Sequence, residues 1–136
     1  MEGHGHAEAV LRRLAAAALL LALAGCGSGS KSLASSCDRQ RAALDRIGPV
    51  RSLADAQAAI PKVIEVERRA LADLRAAKAD PAVLAAYERA LADARRLELS
   101  LAAADPTQTM SALRMGPSAG SRTVERARLL ASRACR

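Results

Sequence analysis

Aspartate followed by proline occurs twice in this chain, at Asp80-Pro81 and again at Asp105-Pro106. An aspartate carboxylate accepts from the free backbone N–H groups that open a helix, and proline suits the first helical position because the N–H it lacks has no partner there. The two pairs therefore bracket a helix of about residues 81 to 104. Along it Leu84, Tyr87, Leu91, Ala94 and Leu101 recur at helical spacing as one stripe. Upstream, Ser52 and Asp55 make a second capping arrangement. Behind it Leu53, Ala56, Ile60, Val63, Ile64, Ala70, Leu71 and Leu74 form a matching stripe through about residue 79. The two helices are expected to fold back on one another as an antiparallel hairpin. Pro61 removes one backbone bond inside the first of them, which predicts a bend or split near Ile60.

The flanking segments read the same way. Ser35 stands three residues before Asp38, like a capping box, and Cys37, Leu44 and Ile47 keep helical spacing until Gly48-Pro49. Beyond Asp105-Pro106, a short helical turn is expected around Met110 and Leu113, and "GPSAGS" at 116 to 121 is expected to break the chain. Ser121 then caps a last helix whose Val124, Ala127, Ala131, Ala134 and Cys135 share a face. Aromatic residues reduce to Tyr87 alone, so the core is built mainly of alanine, leucine and valine. Alanine and leucine are the best helix formers, while strand-favouring residues are scarce. The fold class expected is all-α: a small three- or four-helix bundle around a central antiparallel hairpin.

The first thirty residues have a different character. Residues 1 to 13 are polar and end in Arg12-Arg13, "LAAAALLLA" follows at 14 to 22, and "LAGC" closes the run at 23 to 26. A charged start, a short apolar stretch and small residues before a cut site make a secretory signal. The alternative, a membrane span, needs about 20 apolar residues, and only about a dozen precede Gly25-Cys26. Leu23-Ala24-Gly25-Cys26 resembles the lipobox of bacterial lipoproteins. That resemblance implies cleavage between Gly25 and Cys26 and a diacylglyceryl group on the Cys26 sulfur. Two acyl chains give stable membrane anchoring where one gives only marginal binding. Residues 1–25 are then the cleaved signal peptide, 26–36 the lipidated cysteine with a glycine-serine tether, and 37–136 the helical domain. The tether spans roughly 17 Å root mean square. The implied location is the extracytoplasmic face of a cell membrane. The acids Glu2 and Glu8 precede the charged leader, so initiation at Val10 is an alternative start.

Two further cysteines remain, Cys37 opening the first helix and Cys135 closing the last. In an exported protein such a pair reads as a disulfide. The closed loop of about 100 residues corresponds to about 4.7 kcal/mol in the chain-entropy model. This layout is also similar to that of small helical envelope proteins of actinobacteria, a resemblance that carries no activity with it.

Both histidines, His4 and His6, fall in the leader. The helical domain therefore lacks the residue needed for ordinary hydrolase triads, for haem attachment through CxxCH and for the Glu-x-x-His pairs of di-iron bundles. With Cys26 acylated and the other two bridged, no cysteine nucleophile is left, and no catalytic residue, metal site or cofactor is assigned. Glu67 and Glu98 interrupt the apolar stripes. In a hairpin turning between 80 and 81, paired positions sum to about 161, which sets Glu67 near Ala94 and Arg95, and Glu98 near Lys62 and Val63; ion pairs beside the seam are the expectation. Met110 and Met115, without histidine, read as packing rather than a copper site.

The 21 lysines and arginines outnumber the 14 acids, a net charge of +7. Removal of Arg12, Arg13, Glu2 and Glu8 leaves 19 against 12, the same +7. Arg122, Arg126, Arg128 and Arg133 make the last helix a candidate basic contact surface; the bland alternative is an ordinary solvated face. The leading expectation is a non-enzymatic, anchored module binding an envelope protein or an acidic polymer, with nucleic acid excluded by compartment. The alternative is a small-ligand carrier with a pocket between helices. An enclosed pocket lined by leucine and valine would favour the carrier, and a closed alanine seam with an exposed patch the partner-binding module.

Overall fold

The computed structural model describes residues 33–104 and 110–136, with side chains from 116 onward in the second segment. These residues belong to one unit, Leu33–Arg136, and among them there is no strand. Four helices follow in order: α1 over 33–45, α2 Leu53–Ala76, α3 Pro81–Ala103 and α4 Met110–Ala134. The fold is thus an all-α bundle with a central α2–α3 hairpin, and a bond joins Cys37 to Cys135, whose Cα atoms stand 5.8 Å apart.

Local chemistry sets most helix ends. Ser52 accepts from the Asp55 N–H at 3.0 Å while the Asp55 carboxylate accepts from the Ser52 N–H at 2.9 Å, a complete capping box. The Arg51 N–H donates to the same carboxylate, and these contacts, with the Arg51 N–H foremost, hold Asp55 below its ordinary pKa. Asp80 caps α3 by accepting from the Ala82 N–H at 2.7 Å, with Pro81 in the first turn. Helix α2 ends through a Schellman arrangement: the Ala79 N–H reaches the Leu74 carbonyl and the Lys78 N–H the Arg75 carbonyl. Lys78 takes the left-handed conformation there, φ 53°, where glycine is usual.

Helix α2 is the axis of the core, since it contributes to all three of its clusters. Ala59 and Val63 meet Leu44 and Ile47 of the α1 segment and Val124, Ala127 and Ala131 of α4. Ala70, Leu71 and Leu74 meet Tyr87 and Leu91 of α3. Leu53, Ala56 and Ile60 meet Leu101. The hairpin register agrees with the sum rule, because the Gln57 amide donates to the Leu101 carbonyl at 3.0 Å and Arg75 pairs with Glu88 at 2.6 Å.

The structure corrects four local expectations. Helix α1 already includes residue 33, ahead of Ser35, so residues 33–36 of the expected tether are helical. Leu33 packs against the second cluster and buried Ser36 donates to Asp73, which draws this turn of the helix onto its neighbours. Ser35 accordingly lies inside α1, where its hydroxyl accepts from Arg39. Of the two outcomes expected at Pro61, the split does not occur: α2 is one helix from Leu53 to Ala76 with Pro61 inside it. Most notably, "GPSAGS" does not break the chain: α4 continues through it, with Pro117 inside the helix. Gly116 and Gly120, one turn apart, face α2. A Cβ at Gly120 would lie 2.9 Å from the Ala56 Cβ and 3.1 Å from a Val50 methyl. The glycines let two helices approach closely, and that packing offsets their weak helix propensity. Asp105-Pro106 and the side chains of Met110, Leu113 and Met115 lie outside the described residues.

Candidate functional site

The four arginines of the candidate basic surface have different fates. Arg128 is anchored inside the fold: it donates to the carbonyls of Leu44 and Ile47 at 3.4 and 3.1 Å and pairs with Glu125. It thereby ties α4 to the turn that closes α1, where the Leu44 carbonyl also accepts from the Ile47 N–H at 3.1 Å. Arg126 donates to the Asp93 carboxylate at 3.0 Å and to the Ala90 carbonyl at 3.3 Å, tying α4 to α3. Arg122 reaches Ser118 on its own helix. Arg133 is exposed and has no ion pair among the described residues.

The structure brings Arg126 and Arg133 together with Arg89 of α3, a residue the sequence reading did not single out. A groove of about 310 Å³ runs between α3 and α4, lined by Arg89, Asp93, Arg126, Leu129, Leu130 and Arg133 among others. Asp93 is the acid among three arginines, and Leu129, 57% exposed, stands at the edge as one of the two large apolar side chains most open to solvent. The signal was present in the spacing: Arg89 and Asp93 are one turn apart on α3, as Arg126 and Leu130 are on α4, and antiparallel neighbours bring such pairs to one seam.

Behind this seam lies the most unusual side chain of the bundle. Glu67 sits in the apolar stripe of α2, 1% exposed, and neither carboxylate oxygen has a hydrogen-bond partner. The ion pair expected for it with Arg95 is absent. Burial raises its pKa from 4.5 to about 7; Arg126 pulls the other way, and Asp93 pushes it up. An unpaired carboxylate in an apolar interior is costly, so the group moves towards its neutral form. The Arg126 Nε is also buried without a partner. Close by, Tyr87 is fully buried and its hydroxyl accepts from the Gln40 amide of α1 at 2.8 Å. Burial first, with Glu67 contributing, lifts the phenol above its ordinary pKa. Each helix thus sends a polar group inward: Gln40, Glu67, Tyr87 and Arg126. Glu98, the other acid of the stripes, is half-buried beside Gln57 and Pro61 and makes no ion pair with Lys62.

Three further grooves, of about 260 to 450 Å³, lie between other helix pairs, and each has at least one ionisable side chain in its wall. Among the described residues there is no group of three metal-binding side chains and no helix long and apolar enough to cross a membrane. Gly25 and Cys26, with the whole leader, lie outside the described residues. Comparison with protein-family models, with curated proteins and with solved structures finds no match for this chain.

Proposed function

We propose that this protein is a lipid-anchored, extracytoplasmic helical module that holds an acidic envelope polymer in the groove between α3 and α4. The observation that carries the reading is the groove itself: three arginines from two helices against Asp93, with an exposed leucine at the edge. Arg89 and Arg133 have no ion pair among the described residues, so their charge is available to a partner. An open groove with charged walls suits a polymer that passes through it better than a small ligand that must be enclosed. The anchor rests on the leader and on Leu23-Ala24-Gly25-Cys26, which tie the domain to a membrane surface.

Two measurements test this. The intact mass of native protein extracted from membranes, before and after reduction, is expected to show a chain beginning at acylated Cys26; an unmodified chain would remove the anchor. Binding of long-chain polyphosphate is expected to weaken with salt. It is expected to fall about tenfold in an Arg89→Gln/Arg133→Gln variant, since each base near an anionic surface adds up to about 1 kcal/mol. An equal loss in an Arg41→Gln/Arg46→Gln variant, which removes the same charge from α1 and the turn after it, would mean that net charge and not the groove does the binding. Binding of an acidic peptide but not of polyphosphate would replace the polymer with an acidic protein.

A further inference from the structure

The groove and the buried acid share two residues. Arg126 and Asp93 line the surface channel, and the same two are the charged groups that act on Glu67 from outside its own helix. We infer that an anionic phosphate group bound among Arg89, Arg126 and Arg133 is taken up together with one proton, which lands on the Glu67 carboxylate. This deepens the reading of the groove as a polyanion site and rests on it.

The argument is one of charge in a closed space. With Glu67 ionised, three arginines face two carboxylates, Asp93 and Glu67, and the cluster has one net positive charge. With Glu67 protonated it has two. The positive field of Arg126 favours an ionised carboxylate in an interior where both Glu67 oxygens lack a donor. An anion on the groove side of Arg126 opposes that field. Nothing else in the surroundings replaces it. From α3, Glu67 is faced by Asp93 and Tyr87, an acid and a phenol held above its ordinary pKa. From α4 it is faced by Arg126, and α1 adds only Gln40, which does not titrate and is bonded to the Tyr87 hydroxyl. The carboxylate therefore takes a proton from solvent when the anion arrives, and releases it when the anion leaves.

The sign follows from linkage. Anion binding raises the pKa of Glu67, so affinity is highest below the pKa of the free protein, about 7, falls as pH rises through the window between free and bound values, and levels off above it. The described residues contain no histidine, so no other side chain among them ordinarily titrates in this range.

The test is calorimetric titration of the full chain with long-chain polyphosphate, whose internal groups keep one charge each, at pH 5.5 to 8.5 and in two buffers of different ionisation enthalpy. The expected result is proton uptake on binding just above pH 7. Affinity is expected to fall at least about fivefold between pH 5.5 and 8.5, the low end of coupling between sites. Glu67→Gln, a neutral shape-match, is expected to bind at pH 8.5 as tightly as the wild type does at pH 5.5 and to lose the uptake. Wild-type binding without proton uptake, or a Glu67→Gln protein with the same pH dependence, overturns the inference and leaves the groove intact. Absence of polyphosphate binding at every pH overturns the groove reading itself. The proton count is made on the wild type, so it does not depend on how well the variant folds.

Discussion

Replacing Glu67 with glutamine separates the stability of the bundle from its pH in a way that can be worked out beforehand. The carboxyl titrates at about 7 in the folded chain and at 4.5 as an ordinary side chain. Below pH 4.5 both states are protonated and the group adds no difference. Between 4.5 and 7 the unfolded chain ionises while the folded one stays neutral, and each pH unit removes about 1.4 kcal/mol of stability. Above 7 both are ionised and the loss levels off at about 3 kcal/mol, a substantial part of the 5–15 kcal/mol typical of a domain. Other acids act in the opposite direction. Asp55 is held low by its cap, and Glu65, bonded to Arg68 and Arg69, is held at about 2, so both lose stabilising contacts as pH falls. The quantity to measure is therefore the difference between wild type and Glu67→Gln, in which those terms cancel. Urea unfolding of the oxidised proteins at pH 4 and pH 8 should show the variant gaining about 3 kcal/mol relative to wild type between the two. With an m-value of about 1.5 kcal/mol per molar, that is a midpoint shift of about 2 M. A wild-type-to-variant difference that is the same at pH 4 and pH 8 would mean that the carboxyl is solvated, and would refute the reasoning.

Two further outcomes follow from the packing. Gly120→Ala is expected to destabilise by up to about 2 kcal/mol, because the new Cβ would stand 2.9 Å from the Ala56 Cβ, which cannot rotate away; such an overlap costs about 1–3 kcal/mol while helix propensity returns about 1. Gly116→Ala meets only methyl ends of Leu53 and Leu101, at 3.0 and 3.4 Å, so it should lie between neutral and about 1 kcal/mol more stable; thermal melts giving the reverse order would contradict the close α2–α4 approach. Reduction of the Cys37–Cys135 bond is expected to cost about 2–5 kcal/mol, read as a lower urea midpoint with two thiols that label only after reduction, and thiols that label beforehand would remove the bridge.

The features legible in the sequence were those whose cause lies within about one turn of helix or within one hairpin. Ser52 with Asp55 and Asp80 with Pro81 act on neighbouring backbone groups, so their spacing suffices. The hairpin register follows once one turn is located, as Gln57 with Leu101 and Arg75 with Glu88 show. The misread features depend on a third helix. Glycine and proline at 116–121 are breakers in water, and only the surface of Ala56 and Val50 turns Gly120 into a packing residue. The stop of α2 at Ala76 uses Lys78, not glycine, in the left-handed position, and so lacks a compositional sign. Glu67 looked like half of an ion pair with Arg95 because the hairpin alone offers that partner; closure of α4 over α2 and α3 sets Arg126 between Asp93 and Ala90 instead and leaves the carboxylate buried. One tertiary event thus underlies both the errors and the site. The approach that makes Gly120 necessary brings α4 close enough for Arg126 to reach α3. That contact joins Arg89 and Arg133 in one groove and puts a titrating acid behind it. The site belongs to the closed four-helix arrangement, and no single helix of the chain contains it.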